Sequence, residues 1–279
     1  MRIFRMRALG TVIIVMVMAL AACSATPTEA PLPDPQTLLN KAATEVQNAK
    51  SIKIKLQLTG APSYVDPPLT LGGPGNSIAF ISADGAYVAP DRVSASVVAS
   101  ILGIPGKVDV TAIGDDQWMK NQILTAGRWV KRIFSPGFNA AKLISSDSGI
   151  QSALRALKDL KVVGRENIDG VQMYHVTGNA AGADISALTV GLIRGSDVIV
   201  DIYIPIDTGR VDRVIMVQPE TVTPKEPKPT TWTLELFDYN SDEQIAAPDL
   251  GDTVATAQAT IPVTVDSGML ATSEATQAK

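Results

Sequence analysis

The tightest constraint on what this chain can fold into is a two-residue rhythm of aliphatic side chains. Val198, Val200, Ile202, Ile204 and Ile206 fall on every second position, as do Trp232, Leu234 and Leu236. Ile52, Ile54, Leu56 and Leu58 alternate with Lys53, Lys55 and Gln57. In a strand, successive side chains point to opposite faces, so each stretch predicts a β-strand with one apolar and one wet face. Several such strands side by side make a sheet with a continuous apolar face, and that face must be buried against a second layer.

Turn residues divide the chain into more strands of the same kind. Ser77–Ser82, Ala86–Ala89, Arg92–Ala99, Lys107–Ile113, Gln117–Lys120 and Arg128–Arg132 are separated by Asp84-Gly85, Pro90-Asp91, Gly103 to Gly106 and Gly114 to Asp116. Val162–Ile168 and Val171–Thr177 flank Asp169-Gly170, Val198–Ile206 and Arg210–Val217 flank Asp207-Thr208-Gly209, and Thr231–Tyr239 is the last strand. Two-residue breaks of the Asp-Gly type favour hairpins, so neighbouring strands are expected to be antiparallel.

Helical spacing is rarer. Asp34-Pro35 is a capped helix start, followed by the stripe Leu39, Ala42, Val46 and Ala49. Gly149–Leu160 carries Ile150, Leu154, Leu157 and Leu160 on one face, and Ile185–Ile193 reads as a short helix. Gly60 to Asn76, Ser135 to Ser148 and Pro219 to Thr230 are loops. The expected fold class is therefore α+β, mainly antiparallel β. A few narrow helical stripes can either cover the apolar face tightly or leave a lined cavity beneath them, and pattern alone leaves both open.

The first 22 residues have a different character. Arg2, Arg5 and Arg7 precede an uncharged apolar run from Ala8 to Ala22, which ends at Leu20-Ala21-Ala22-Cys23. A basic start, a short apolar core and small residues at the cut site make a secretory signal peptide. The run is shorter than the roughly 20 residues a spanning helix needs. Cys23 is the chain's one cysteine, which excludes an internal disulfide and a thiolate metal cluster. The stretch resembles the bacterial lipobox, in which the cut falls just before a cysteine whose thiol takes a diacylglycerol. That assigns 1–22 to the signal peptide and 23–33 to the lipidated Cys23 and a flexible tether. Residues 34–250 form the folded domain, and 251–279 an Ala/Thr/Ser-rich tail expected to be disordered, with strand pattern at Ile261–Val265.

Charge and composition exclude several functions. Removing residues 1–22 takes away three arginines, leaving 21 cations against 28 acids, a net charge of −7. A mildly acidic chain without a basic block is not expected to bind nucleic acid or to dock electrostatically on a membrane, so membrane attachment is expected to rest on the lipid. Aromatic residues make up 5% of the chain, too few for stacking platforms. His175 is the sole histidine and sits in a Tyr-His-Val strand, where a structural place in a hairpin outweighs a general-base role. With no second histidine and no free thiol, no metal site is expected. Asp115-Asp116 and Asp207 with Asp212 lie at turns, where Asp is favoured for its backbone hydrogen bonds. Gly72-Gly73-Pro74-Gly75 and Gly103-Ile104-Pro105-Gly106-Lys107 lack the context of a phosphate loop. No catalytic residue, cofactor or enzymatic activity is expected.

From Trp129 to Gly178 the order of features resembles the LppX/LprG family of mycobacterial-type lipoproteins. Trp129-Val130-Lys131-Arg132 ends a strand, and Phe134-Ser135-Pro136 follows. A helix then leads into a hairpin carrying Gly164, Arg165, Glu166, Asp169, Gly170, Val171, Tyr174, His175 and Val176. The likeness extends over about 35–240 and includes the lipobox, the first helix and strand, and Asp201 with Asp212-Arg213 in the late hairpin.

That resemblance implies a strongly curved half-barrel sheet covered by a few helices, similar to the LolA/LolB carriers and enclosing an apolar cavity for acyl chains. The residues placed to line the cavity are Ile54, Leu56, Leu58, Leu154, Leu157, Val200, Ile202, Ile204, Trp232, Leu234 and Leu236. Phe134, Phe138, Leu143 and Ile144 would form its entrance rim, unless they only anchor their loop to the core. Arg128, Lys131 and Arg132 beside them suit either an anionic headgroup or a guarded strand edge. The implied function is a lipoprotein held by its anchor at the extracytoplasmic face of the cell membrane. It would carry an acylated lipid or glycolipid between envelope layers, with a membrane transporter as a further partner. The alternative is a surface lipoprotein with a closed core that serves as a protein-interaction scaffold.

Overall fold

Asp34 starts the folded body. Its carboxylate accepts hydrogen bonds from the Thr37 backbone N–H and the Thr37 hydroxyl, both at 2.8 Å. The backbone bond is the larger reason that its carboxyl is held below the usual value. Pro35 occupies the first helical position, where a missing N–H is no loss. The resulting helix α1 (Pro35–Gln47) buries Leu38, Leu39, Ala42, Ala43 and Val46 along one face. The computed structural model describes residues 30–251, apart from 66–77 and positions 102, 134, 136, 148, 190 and 194. Cys23, Phe134, Gly72 to Gly75 and Ile261–Val265 lie outside the described residues.

Twelve strands follow: β1 (Ser51–Thr59), β2 (Tyr64–Val65), β3 (Ile78–Val88), β4 (Arg92–Ile101), β5 (Ile104–Ile113), β6 (Asp116–Asn121), β7 (Trp129–Lys131), β8 (Lys158–Ile168), β9 (Val171–Ala181), β10 (Asp197–Pro205), β11 (Arg213–Gln218) and β12 (Thr230–Phe237). Eleven of them form one path in the order β7-β6-β5-β4-β3-β1-β12-β11-β10-β9-β8, and β2 pairs with β3. All these pairings are antiparallel. Two meanders, β3 to β7 and β8 to β12, are thus joined through β1 against β12, from Lys53 opposite Phe237 to Thr59 opposite Thr231. The ends of the path, β7 and β8, do not pair, so the sheet is an open half-barrel.

The helical layer is thinner than the spacing predicts. Helix α2 spans only Ile150–Arg155. The expected continuation to Leu160 is instead the start of β8, where Asp159 takes a positive φ of 53° and the register shifts between Lys158 and Lys161. The helix expected at Ile185–Ile193 is the four-residue α3 (Gly182–Ile185) followed by a 3₁₀ turn at Ser186–Thr189. A second 3₁₀ turn at Ala140–Leu143 orders part of the expected loop.

Asp84-Gly85 is not a hairpin turn, contrary to the dipeptide signal. Both residues lie inside β3, with Gly85 opposite Ile54 on one side and Ala95 on the other. A Cβ on Gly85 would stand 2.4 Å from the Ser94 carbonyl oxygen and 2.7 Å from the Ala95 Cβ. Glycine is therefore needed for close approach on the inner side of a tightly curled sheet, not for a turn. The late strands are also trimmed: β11 starts at Arg213 rather than Arg210, and β10 stops at Pro205, leaving Ile206 exposed.

The three helices among the described residues cover one face of the sheet and enclose the core. The opposite face carries the charges, including Lys53 with Asp238 at 3.1 Å and Arg213 with Glu235 at 3.3 Å. There His175 bridges three strands, with Nδ1 2.6 Å from Glu166 Oε1 and Nε2 2.9 Å from Asp201 Oδ1. Its ring stacks on Tyr203 at 4.7 Å. No described helix is long and apolar enough to cross a membrane.

Candidate functional site

The inner face has two regions that differ in how well they are covered. Over β9 to β12 the inward residues meet α1, α2 and α3 in one sealed cluster. Leu154, Leu157, Val200, Ile202, Ile204, Trp232, Leu234 and Leu236 are buried in it together with Leu56, and Ile54 and Leu58 pack half-buried at its margin. The eleven nominated residues are thus brought together. Trp232 is its largest fully buried side chain. Its indole N–H donates to Gln218 Oε1 at 2.9 Å, Gln218 Nε2 donates to Ser196 Oγ at 2.7 Å, and its ring lies 5.4 Å from that of Phe80.

Over β3 to β5 the cover is incomplete. The register carries the inner face from Leu56 to Ala83, from Ala83 to Val97 and from Val97 to Val108. Ala99 and Val110 lie on the same face, and all five of these residues beyond Leu56 are only half-buried, with Ala83 and Val97 packed against the margin of the sealed cluster. The inward positions of β1, β3, β4, β5 and β6 carry no charged side chain. Together with Ile54 and Leu58 they make an unsealed floor of small aliphatic side chains. Sequence reasoning passed over this floor. Its signal was the alternation Val93, Ala95, Val97, Ala99 against Ser94, Ser96 and Ser100, weaker than the Ile/Leu stripes because the residues are small.

The segment expected to form the rim is held against the inner face of β6. Gln117, 3% exposed on the inner face of β6, holds the following segment with its side-chain amide. Nε2 donates to the Ser135 carbonyl at 2.9 Å and the Phe138 carbonyl at 3.3 Å, and Oε1 accepts from the Ser135 N–H at 3.0 Å. Asn139 caps the 3₁₀ turn through the Ala141 N–H at 2.9 Å and donates to Asp115 at 2.8 Å. Phe138, Leu143 and Ile144 are each half-buried, and Ile144 packs against the sealed core. Gly149 closes the segment where a Cβ would stand 2.5 Å from the Lys142 and Leu143 carbonyls. The strap is therefore pinned at both ends beside the floor.

Two surface depressions, of about 450 and 420 Å³, lie on the charged outer face. The first is lined by Lys158, Asn179, Asp197 and Ile199, the second by Lys53, Asp84, Asp109, Trp129 and Phe237 among others. Neither includes a nominated aliphatic residue. Among the described residues no group of three or more His, Cys, Asp or Glu side chains is placed to hold a metal. In the helical layer Gln151 is 1% exposed, and its Nε2 donates to Gln47 Oε1 at 2.7 Å. The chemistry this face offers is apolar burial.

The family model described as LppX_LprAFG lipoprotein matches residues 34–245. Comparison with curated protein sequences finds no match. Among solved structures, LprF from Mycobacterium bovis superposes with a TM-score of 0.56 at 14% identity, covering 78% of this chain and 99% of that one. The Mycobacterium tuberculosis lipoprotein LppX superposes at 0.50 with 18% identity, covering 77% of this chain and all of its own. Both relatives are covered almost end to end, so the fold is complete within the matched part. A LolA superfamily protein from Nitrosomonas europaea, at 9% identity and a TM-score of 0.28 over 77% of this chain and 96% of its own, is too distant in geometry to carry an argument.

Proposed function

The chain belongs to the LppX_LprAFG lipoprotein family, and on that premise we propose that it binds the acyl chains of a lipid or glycolipid on the unsealed inner floor. It carries them between layers of the envelope while Cys23 anchors it at the extracytoplasmic face of the membrane. The observation that supports this most is the uneven cover of one continuous aliphatic face, sealed over β9 to β12 and half-open over β3 to β5, with no inward charge on the open side. Arg92–Ile101 extends about 31 Å at roughly 3.4 Å per residue. A lipid tail filling one leaflet spans about 15 Å, half of a hydrocarbon core of about 30 Å, so the floor has room for it. Each methylene moved out of water contributes about 0.8 kcal/mol.

In this proposal Ile54 and Leu58 touch the ligand, the other nominated residues form the wall behind them, and Phe138, Leu143 and Ile144 border the mouth. Delivery involves a membrane transporter as partner, and no catalytic step is needed. The test is to produce residues 24–279 in a lipid-rich bacterial host and analyse organic extracts of the purified protein by mass spectrometry. A near-stoichiometric acylated species supports the proposal, and an empty protein refutes it.

A second reading, a scaffold with a closed core, is favoured by the burial of Val200, Ile202, Leu154 and Trp232 in the chain alone. It requires the β3 to β5 floor to close over in solution. Hydrogen exchange of β4 that does not change on adding lipid would support it.

A further inference from the structure

The chain's charges are unevenly distributed. Residues 117–146 hold five cations, Lys120, Arg128, Lys131, Arg132 and Lys142, and none of the chain's 28 acids, although the net charge is −4. The structure gathers them around the open edge strand β7 and its flanking turns. Lys131 pairs with Asp116 at 2.8 Å, and Lys120 stands opposite Asp109 on β5, which pairs with Lys107 at 3.2 Å. Arg128 and Arg132 are exposed, and among the described residues neither has an ion pair. On the outer face Lys120 lies 6.0 Å from the Trp129 ring and Lys131 5.7 Å from the Trp118 ring.

The same region carries the three most exposed large aliphatic residues of the described chain. Ile123 in the β6–β7 turn is 87% exposed, Ile104 at the start of β5 is 72% exposed, and Ile133 just past β7 is 67% exposed. Ile104 and Ile123 lie at one end of adjacent strands, since the β5–β6 pairing ends at Val108 opposite Asn121, and Ile133 lies at the other end of β7, past Lys131 opposite Trp118. Edge strands are often guarded by lysine and arginine. A guard, however, explains charge and leaves solvated isoleucines beside it unexplained. Cations interleaved with aromatic rings and protruding aliphatic tips match an anionic bilayer, whose headgroups attract the cations while its acyl region receives the tips.

We propose that the β7 edge, with Ile104, Ile123, Ile133, Arg128 and Arg132, is a docking surface for anionic lipid bilayers. The tether reaches the body at the other edge of the sheet, where Arg165 Nη2 on β8 donates to the Ala30 carbonyl at 2.7 Å and to the Pro31 carbonyl at 3.2 Å. A covalent lipid and a basic-apolar patch are two membrane signals, and together they fix an orientation that one alone leaves free. The patch adjoins the strap that borders the unsealed floor, so docking would bring the mouth to the bilayer. Only that last consequence rests on the proposed function.

The experiment uses residues 24–279, which lack Cys23 and hence the anchor. They are co-sedimented with vesicles of phosphatidylglycerol and phosphatidylcholine, with pure phosphatidylcholine as the neutral comparison. Binding to the anionic vesicles that weakens with salt is expected. Replacing both Arg128→Ser and Arg132→Ser should weaken it about 25-fold, at roughly fivefold per cation. Ile123→Ser and Ile133→Ser should each weaken it about tenfold. All four side chains are exposed, so the melting temperature should not change. Equal binding to neutral vesicles, no binding, unchanged binding by the variants, or dimerisation through the β7 edge in its place would each overturn the proposal. Bound lipid is measured by mass spectrometry on the same samples. A loaded protein that ignores vesicles overturns docking alone, whereas an empty protein that binds them overturns carriage alone.

Discussion

Replacing Val97 with aspartate tests the half-buried floor at its contact with the sealed core. Val97 is half-buried in the middle of β4, opposite Ala83 and Val108, and a carboxylate there can stay in contact with water. The empty fold should lose only about 1 kcal/mol, a fraction of the 1.5–3 kcal/mol for a fully buried valine. Ile202→Asp is the contrasting variant. Ile202 is 1% exposed, so its replacement buries an unpaired charge and should cost more than about 4 kcal/mol, most of the roughly 5 kcal/mol of a domain at the low end of ordinary stability. For a bound acyl chain the order is reversed. A solvated carboxylate at Val97 removes about four methylenes from dry contact, roughly 3 kcal/mol at 0.8 kcal/mol each. That corresponds to about a 100-fold loss of affinity. Urea unfolding followed by tryptophan fluorescence measures the first quantity, and mass spectrometry of extracted lipid the second. The reasoning is refuted if Val97→Asp keeps its full lipid load, or if it unfolds as readily as Ile202→Asp.

Three further outcomes follow from the packing. Trp232→Ala should cost about 3–5 kcal/mol for the lost volume, and about 1 kcal/mol more for leaving Gln218 Oε1 without its donor; Trp232→Phe should cost only about 1–2 kcal/mol, and urea midpoints compare the two. Gly85→Ala should destabilise by about 1–3 kcal/mol because its Cβ meets backbone on β4, while Gly164→Ala, with no atom within 4 Å of the added Cβ, should leave the thermal midpoint near that of the parent. Asp34 has a lowered pKa, so its capping contribution is present above the usual carboxyl value of 3.8 and is lost as pH falls through the folded value. The melting-temperature gap between the parent and Asp34→Ala should therefore be widest near neutral pH and close in acid.

Strands with long aliphatic alternation were legible residue by residue. Val198 to Ile204, Trp232 to Leu236 and Ile52 to Leu58 all present their apolar side to the helices. Local signals misled where one residue type serves two purposes. Asp84-Gly85 has the composition of a turn, yet the glycine answers to Ser94 and Ala95, which approach it from another strand. The Leu154 to Leu160 spacing suits a helix, yet Lys158 pairs with Asn179 of β9, and Asp159 and Leu160 fall in the register shift before Lys161. The site was legible in part. The sealed part of the aliphatic face could be named from alternation, but the half-buried part, Ala83, Val97, Ala99, Val108 and Val110, could not, because small residues give little pattern and their exposure depends on what lies above them.

By itself the sequence determined an antiparallel, mainly-β body with one aliphatic face, because period two and turn residues act within a few positions of each other. It also determined the absence of a disulfide framework and a histidine pair, which are matters of counting. The tertiary structure decided which part of that face is sealed. Three short helices cannot span eleven strands, and they settle over β9 to β12, where Leu, Ile and Trp offer the most area to bury. The β3 to β5 side keeps small residues, curls tightly at Gly85 and stays half-open, a division set by contacts between segments far apart in the chain.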